Sequence, residues 1–323
     1  MDEFELIRRY FARSGRDPSI ALGIGDDGAI VRPDPDRELV MVMDTMVEDV
    51  HYPAGLDAAD IGYRAVAVNL SDIAAMGARP RWMTLALTLA GDDAAWLDGF
   101  SRGLFEAADE FSMALIGGDT TRGDQTVITV QICGDVLPAN ALRRSGAKPG
   151  DDIYVTGTPG DAAAGLALLQ GNNLRNENQR RLLRRFARPV PRVALAGELA
   201  RHAAAAIDVS DGLFADIEKL LVASGAGGVI EIDDLPLSTA LLAVQGRESA
   251  IELALAGGDD YEIVFTAQNT RTGDIAELSK RHAVPVTKIG TVTRGNALKC
   301  QRAGREIAYR HAGYRHFAGA ADD

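Results

Sequence analysis

The sequence predicts two α/β domains that meet near residue 148, and three observations carry that prediction. Segments with helical and with strand periodicity alternate along nearly the whole chain. A break with turn chemistry, Ala147-Lys148-Pro149-Gly150, separates two such series. At 323 residues the chain is long enough to bury two cores.

The elements follow in order. Residues 3–13 read as an amphipathic helix with Phe4, Ile7, Tyr10 and Phe11 on one side. Next comes Gly23-Ile24-Gly25-Asp26-Asp27-Gly28, which fits the spacing G-x-G-x-x-G. A dinucleotide fingerprint needs bare backbone N–H groups and a following helix. Here two carboxylates occupy the variable positions and Ala29-Ile30-Val31-Arg32-Pro33 reads as a strand, so the fingerprint is rejected. A strand near 38–43 ends at Asp44-Thr45. Asp60 is expected to cap an alanine-rich helix that runs through Met76 and stops at Gly77. Trp82 to Leu89 alternates as a strand, 94–111 is helical, and Ala114-Leu115-Ile116 is a short strand entering a glycine turn at Gly117-Gly118-Asp119. Val127 to Val136 is another strand.

After the break, Asp152 to Gly157 opens the second unit. Helices are expected around 161–169, 177–187, 191–203, 213–223 and 273–282, with strands around 204–208, 228–232, 261–266, 286–292 and 297–301. Gly171-Asn172-Asn173 reads as a surface loop.

Composition narrows the function classes. A net charge of −12 argues against nucleic acid, which is bound by clustered Lys and Arg. The one basic run, Arg180-Arg181-Leu182-Leu183-Arg184-Arg185, has helical spacing and reads as a solvated helix face. No apolar run has the length of a membrane span, and neither Cys133 nor Cys300 has metal-ligand spacing; a cytoplasmic setting without membrane partners fits best. The sequence contains no P-loop, no H-R-D or D-F-G set and no G-x-S-x-G elbow.

The chemistry is carried by aspartates beside small residues: Asp26-Asp27, Asp44, Asp72, Asp119, Asp208 with Asp211, and Asp259-Asp260. Asp72 shares a helix face with Asn69 and has no Lys or Arg three or four residues away. A metal ion or a distant arginine would satisfy it, and the residues leave both open. Two carboxylates about 4 Å apart repel by roughly 4 kcal/mol at an effective dielectric near 20. Convergent aspartates therefore imply cations, and an oxygen-only donor set selects hard ions, Mg²⁺ before zinc. The cationic run Arg143-Arg144-Ser145-Gly146-Ala147-Lys148 is either a phosphate partner or a charged interdomain turn.

These motifs, in order and nearly end to end, resemble those of the thiamine-monophosphate kinases. The resemblance lies in Gly23-Ile24-Gly25-Asp26-Asp27, Val68-Asn69-Leu70-Ser71-Asp72-Ile73-Ala74-Ala75-Met76-Gly77 and Ile116-Gly117-Gly118-Asp119-Thr120-Thr121. It continues in Ala147-Lys148-Pro149-Gly150-Asp151, Ile207-Asp208-Val209-Ser210-Asp211-Gly212-Leu213, Gly257-Gly258-Asp259-Asp260-Tyr261-Glu262 and Gly313-Tyr314-Arg315-His316-Phe317. The family belongs to a superfamily with aminoimidazole ribonucleotide synthetase and selenophosphate synthetase.

The resemblance implies an N-terminal ATP- and Mg-binding, dimerising domain (1–147) whose sheet pairs across a homodimer into a β-barrel, and a C-terminal α/β domain (148–323). It implies ATP-dependent phosphorylation of thiamine monophosphate to thiamine diphosphate with several Mg²⁺ ions. By position, Asp27, Asp44, Asp72, Asp119 and Asp208 would hold magnesium, with Asp211 at an outer ion. Gly118, Asp119, Arg144 and Ser210 would contact nucleotide; His51, Asp259 and Tyr314 would contact the thiamine phosphate. Val42-Met43 stand before Asp44 where the family often has hydroxyls, and Asp259 stands where it commonly has Glu. Two rival readings are another ATP-dependent synthetase of the superfamily and a non-enzymatic, metal-stabilised dimer module. Selenophosphate synthetases usually carry a reactive Cys or selenocysteine in a glycine-rich N-terminal segment, which this chain lacks.

Overall fold

The computed structural model describes residues 2–13, 17–171, 176–311 and 313–314. The loop expectation at Asn172-Asn173 and the family-like Arg315-His316-Phe317 lie outside them. The chain divides into two compact units, Met1–Ile73 with Ala78–Ala141, and Ala74–Gly77 with Leu142–Asp323. The division thus falls ahead of the expected 147/148. Leu142 is buried and its N–H reaches Met76 O, while Ala206 N–H binds Arg143 O, so the segment is stitched into the second unit before Ala147.

The first unit opens with α1 (Glu3–Leu6), capped by Asp2 and continued as a π-turn through Phe11. Strands β1 (Ile20–Leu22) and β2 (Ile30–Val31) then form a small antiparallel hairpin. It continues through β3 (Glu38–Val47), α2 (Ala58–Ala75), β4 (Arg79–Leu89), α3 (Ala94–Glu110), β5 (Ala114–Arg122) and β6 (Val127–Val136). The four long strands form one sheet in the order β3-β6-β4-β5, antiparallel except for the β4–β5 pair that α3 bridges.

The alanine-rich sequence of α2 has a packing cause. A Cβ on Gly62 would stand 2.1 Å from Phe100 O, and one on Gly103 would stand 1.8 Å from Ala59 O, so α2 and α3 touch backbone to backbone. Their apolar sides, including Val66, Leu70, Phe100 and Leu104, are fully buried with Leu87, Ile128, Val130 and Ile132 of the sheet. The helix cap is Asp57, whose Oδ1 accepts Ala59 N–H, and not Asp60, which sits inside the first turn.

The second unit comprises β7 (Asp151–Thr156), α4 (Asp161–Gln170), α5 (Glu177–Ala187), α6 (Val193–Leu199), β8 (Ala205–Val209), α7 (Leu213–Ser224) and β9 (Gly227–Glu231). It closes with α8 (Thr239–Gln245), α9 (Arg247–Ala256), β10 (Glu262–Gln268), α10 (Thr272–His282), β11 (Val286–Thr293), β12 (Leu298–Arg302) and β13 (Arg305–Ile307). Its seven-stranded sheet runs β13-β12-β9-β11-β7-β10-β8 and is antiparallel except for β9–β12. Strands β7 and β8 are buried along their length and β10 up to Ala267, so their apolar residues do not alternate with exposed ones, and Asp151, Asp152, Asp208 and Glu262 are buried among them.

Candidate active site

The expected site residues divide between the two units, and each half is built locally. In the first, Asp27 is exposed at the tip of the β1–β2 hairpin, where its N–H donates to Asp26 Oδ1 (2.9 Å). A strand follows the motif, as its rejection as a dinucleotide turn requires.

Asp44 lies inside β3 rather than at a strand end, because β3 extends to Val47. Being on an edge strand, its N–H has no strand partner on the open side; Asn69 Oδ1 accepts it at 2.9 Å. Asn69 is itself anchored by donating Nδ2–H to Ala65 O (3.0 Å) and is fully buried. A side chain of α2 thereby fixes the backbone under Asp44, and Asp72, half-buried, follows Asn69 by three residues on that helix.

Gly118 and Asp119 also lie within a strand, β5, and not in the expected turn. The glycine is demanded by packing: a Cβ on Gly118 would stand 1.9 Å from Leu85 O of β4. Register places Asp44, Val130, Leu85 and Gly118 in one row across the sheet, with Thr45, Thr129, Ala86 and Asp119 in the next. Asp44 and Asp119 are therefore three strand spacings apart, about 14 Å, and the pleat sends their side chains to opposite faces. The sheet does not bring these two carboxylates onto one ion.

His51 follows β3 in a loop where Asp49 adopts φ 59°. Val47 N–H donates to His51 Nδ1 (3.0 Å), which assigns the ring proton to Nε2 and fixes the ring's direction.

The second unit assembles its half through the backbone. Asp259 N–H donates to Ser210 O (2.9 Å), Tyr261 N–H to Val209 O (2.8 Å) and Tyr314 N–H to Asp211 O (3.2 Å). Two segments distant in sequence thus converge on the turn after β8, bringing Asp259 and Tyr314 beside Ser210 and Asp211, two and three residues past Asp208. Close approach is again enforced by glycine, since a Cβ on Gly258 would meet Ser210 O at 2.4 Å. Asp259 (φ 67°) and Tyr261 (φ 51°) both hold left-handed backbone, a strain that non-glycine residues carry only where surroundings impose it. Arg144 is exposed on the segment beside β8, its carbonyl accepting from Ser224 Oγ (3.0 Å).

Several residues that the sequence did not single out hold this half in place. Asp260 is fully buried, its two oxygens accepting Gly160 N–H (2.7 Å) and Ala162 N–H (3.2 Å) at the start of α4; burial pushes its carboxyl well up. Glu262, also fully buried, receives Arg185 Nη2 (2.6 Å), Arg192 Nε (2.7 Å), Arg192 Nη2 (2.6 Å) and Thr156 Oγ1 (2.6 Å). Arg185 therefore does not belong to a solvated face, as the basic run suggested; Arg180 and Arg184 do, pairing with exposed Glu177. The signal in the sequence was a glutamate opening an apolar strand, which needs a cation nearby. Asp211 is bound by Lys219 Nζ (2.5 Å).

All proposed metal ligands are carboxylate oxygens, the chemistry of a hard cation. Among the described residues, no three His, Cys, Asp or Glu side chains stand close enough to hold an ion between them. Such a set fits Mg²⁺ that arrives on phosphates, which asks for one or two carboxylates at a time rather than a closed protein cage. Among the described residues no helix is long and apolar enough to cross a membrane.

Two edge-built carboxylate sets, on a four-stranded sheet and on a seven-stranded one, define a two-domain class of protein. The chain matches the family models for AIR synthase related protein, N-terminal domain, over residues 25–136, and its C-terminal domain over 148–302. It is 46% identical over 322 residues to the thiamine-monophosphate kinase of Escherichia coli K12, covering 98% of both chains. Thiamine-monophosphate kinase from Stenotrophomonas maltophilia K279a superposes with a TM-score of 0.87 at 43% identity, over 94% of this chain and 98% of that one. A structure described as AaThiL complexed with AMPPCP and TMP superposes with a TM-score of 0.79 at 31% identity, over 91% and 92% of the two chains. The chain belongs to the thiamine-monophosphate kinase family of phosphotransferases.

Proposed function

We propose that this chain transfers the terminal phosphoryl group of ATP to the phosphate of thiamine monophosphate, giving thiamine diphosphate. The observation that carries the reading is the backbone-tied convergence of Ser210, Asp211, Asp259 and Tyr314 around one turn. Its support from relatives is the AMPPCP and TMP complex of a 31%-identical neighbour.

The acceptor is a phosphate monoester, largely dianionic at neutral pH because its second pKa is near 6. It needs no general base, which accounts for a site built of carboxylates, glycines and a few cations. The difficulty is bringing two anions together, and positioning with charge neutralisation meets it. Ser210, Gly118, Asp119 and Arg144 contact the nucleotide in this reading, while His51, held by Val47, Asp259 and Tyr314 take the thiamine phosphate. Asp27, Asp44, Asp72, Asp119 and Asp208 would hold several Mg²⁺ ions, Asp44 and Asp119 not the same one, with Asp211 at an outer ion through Oδ1 while Lys219 keeps Oδ2; bound there, Mg²⁺ neutralises phosphate charge. Transfer is direct and in line, without a phosphoenzyme.

Two copies pair through the outer face of the first unit's sheet, where Leu39, Met41 and Met43 of β3 are 42%, 63% and 63% exposed. Sedimentation at micromolar concentration tests this, and a monomer overturns it. Incubation with Mg–ATP and thiamine monophosphate should yield thiamine diphosphate, and Asp72→Asn should lower turnover by about two orders of magnitude or more. Label retained on protein from γ-labelled ATP overturns direct transfer.

A further inference from the structure

Lys219 lies outside every motif so far assigned, yet it closes a ring of contacts at the turn after β8. Helix α7 begins at Leu213, and its N-cap, Gly212, has no side chain with which to cap it. Asp216, in its first turn, reaches backwards instead. Asp216 Oδ2 accepts Ser210 N–H and Asp211 N–H, each at 3.0 Å. Its other oxygen, Oδ1, accepts Lys219 Nζ at 2.7 Å, and the same ammonium donates to Asp211 Oδ2 at 2.5 Å. Asp216 is 1% exposed, whereas Lys219 and Asp211 are 39% and 35% exposed. The ammonium thus lies between a buried structural carboxylate and one open to the site.

Two consequences follow from that position. Burial pushes the Asp216 carboxyl up, and the Lys219 ammonium in contact with it opposes that and favours its charged form. The backbone of Ser210 and Asp211 therefore depends on Lys219 through Asp216. Lys219 also directs the Asp211 carboxylate itself, holding it as a cation would.

We propose that Lys219 is a positioning residue for nucleotide binding, fixing the Ser210–Asp211 turn through Asp216 and aiming the Asp211 carboxylate. This rests on the kinase reading above for what the turn binds. It concerns the ground-state nucleotide complex, so its loss should appear in the affinity for ATP and little in turnover.

The test uses the full-length protein and three variants: Lys219→Arg, Lys219→Met, and Lys219→Met combined with Asp216→Asn. The double variant removes the buried charge while leaving an amide oxygen to accept both backbone N–H groups, so it folds where the single Met variant does not. Thiamine diphosphate formation is measured against ATP concentration, and AMPPCP binding by calorimetry. In the double variant KM for ATP and the AMPPCP dissociation constant should each rise about tenfold, with kcat within about threefold of wild type. Lys219→Arg, which can bridge both carboxylates, should stay within about threefold on all three measures.

A folded double variant with wild-type KM and AMPPCP affinity overturns the inference, leaving Lys219 as the counterion of Asp216 alone. A loss confined to kcat overturns it as well. If wild type binds AMPPCP but makes no thiamine diphosphate, the reaction assigned above is wrong and Lys219 is judged on binding. No AMPPCP binding by wild type overturns both.

Discussion

Glu262 offers the sharpest test of how the second unit is held. Its carboxylate is 0% exposed and engages two guanidinium groups that are 15% and 13% exposed. Glu262→Gln preserves shape but leaves Arg185 and Arg192 facing an amide. Removing one partner of a buried ion pair costs about 3–5 kcal/mol, mostly because the stranded charge has no water to return to. At about 2–4 °C per kcal/mol for a unit of this size, the calorimetric midpoint should fall by about 6–20 °C. Arg192→Met should cost less, because Arg185 and Thr156 still hold the carboxylate. Burial alone would push the Glu262 carboxyl up, but Arg192 and Arg185 outweigh it and hold the group below the usual glutamate range. A carboxyl depressed on folding contributes fully above its unfolded pKa, near 4.3, and loses that contribution as pH falls through the lower folded value. The stability gap between wild type and Glu262→Gln should thus be constant from neutral pH down to about 5 and close below about 4. A midpoint within about 2 °C of wild type at pH 7 refutes the reasoning, since the network would then contribute less than one ordinary surface pair.

Three further perturbations address the first unit. Asp135→Asn removes the negative charge and one of the two acceptor oxygens shared by Arg37, Arg79 and Arg81; because Arg79 is 54% exposed and water takes over part of its solvation, denaturant unfolding should show a loss of about 2–3 kcal/mol. Gly118→Ala puts a methyl group into Leu85 O and forces β4 from β5, so the midpoint should drop by an amount equivalent to about 2 kcal/mol or more, with unchanged stability refuting the packing cause. Asn69→Leu leaves the Asp44 N–H without its acceptor, a cost of about 1–3 kcal/mol on thermal unfolding. Turnover should fall further than stability predicts, because the same bond positions Asp44.

Most of the fold was legible because most elements obey simple periodicity. Helix α3 and strands β6 and β7 stand within a residue or so of their expected limits, the first two amphipathic and the third built on Ile153-Tyr154-Val155 after a turn. The first-unit site was less so. Gly117-Gly118-Asp119 looked like a turn because glycine, aspartate and threonine are turn residues, yet the close approach of β4 requires glycine in an extended strand. Asp44 looked terminal because β3 turns polar there, whereas pairing with β6 continues to Val47. Helices α8 and α9 were not anticipated at all. The largest gap concerns second partners. Nothing local to Arg185 distinguishes it from a solvated helix residue, and the i,i+3 spacing of Asp216 and Lys219 reads as an ordinary surface pair; their roles are set by Glu262 and Asp211, which the fold brings to them.

The tandem Asp259-Asp260 shows how such a site is supported. The two neighbours leave the chain in different directions and do different work. Asp260 is spent entirely on the two N–H groups that open α4, and Glu262, two residues on, is spent on the arginines. Between and before them, Tyr261 and Asp259 are half-buried, joined by Tyr261 O–H donating to Asp259 Oδ1 (3.1 Å), and both hold left-handed backbone. Strain of about 1–3 kcal/mol at such a residue persists only if the surroundings over-determine it. Here they do, because the buried acids pin the alternate residues while Ser210 O and Val209 O hold the backbone N–H groups of the strained ones. The carboxylate that faces the site is therefore aimed by the neighbours that do not. The same logic recurs at Asp44 over Asn69 and at Asp211 over Asp216 and Lys219: each candidate ligand is oriented by a buried polar residue a few positions or one element away.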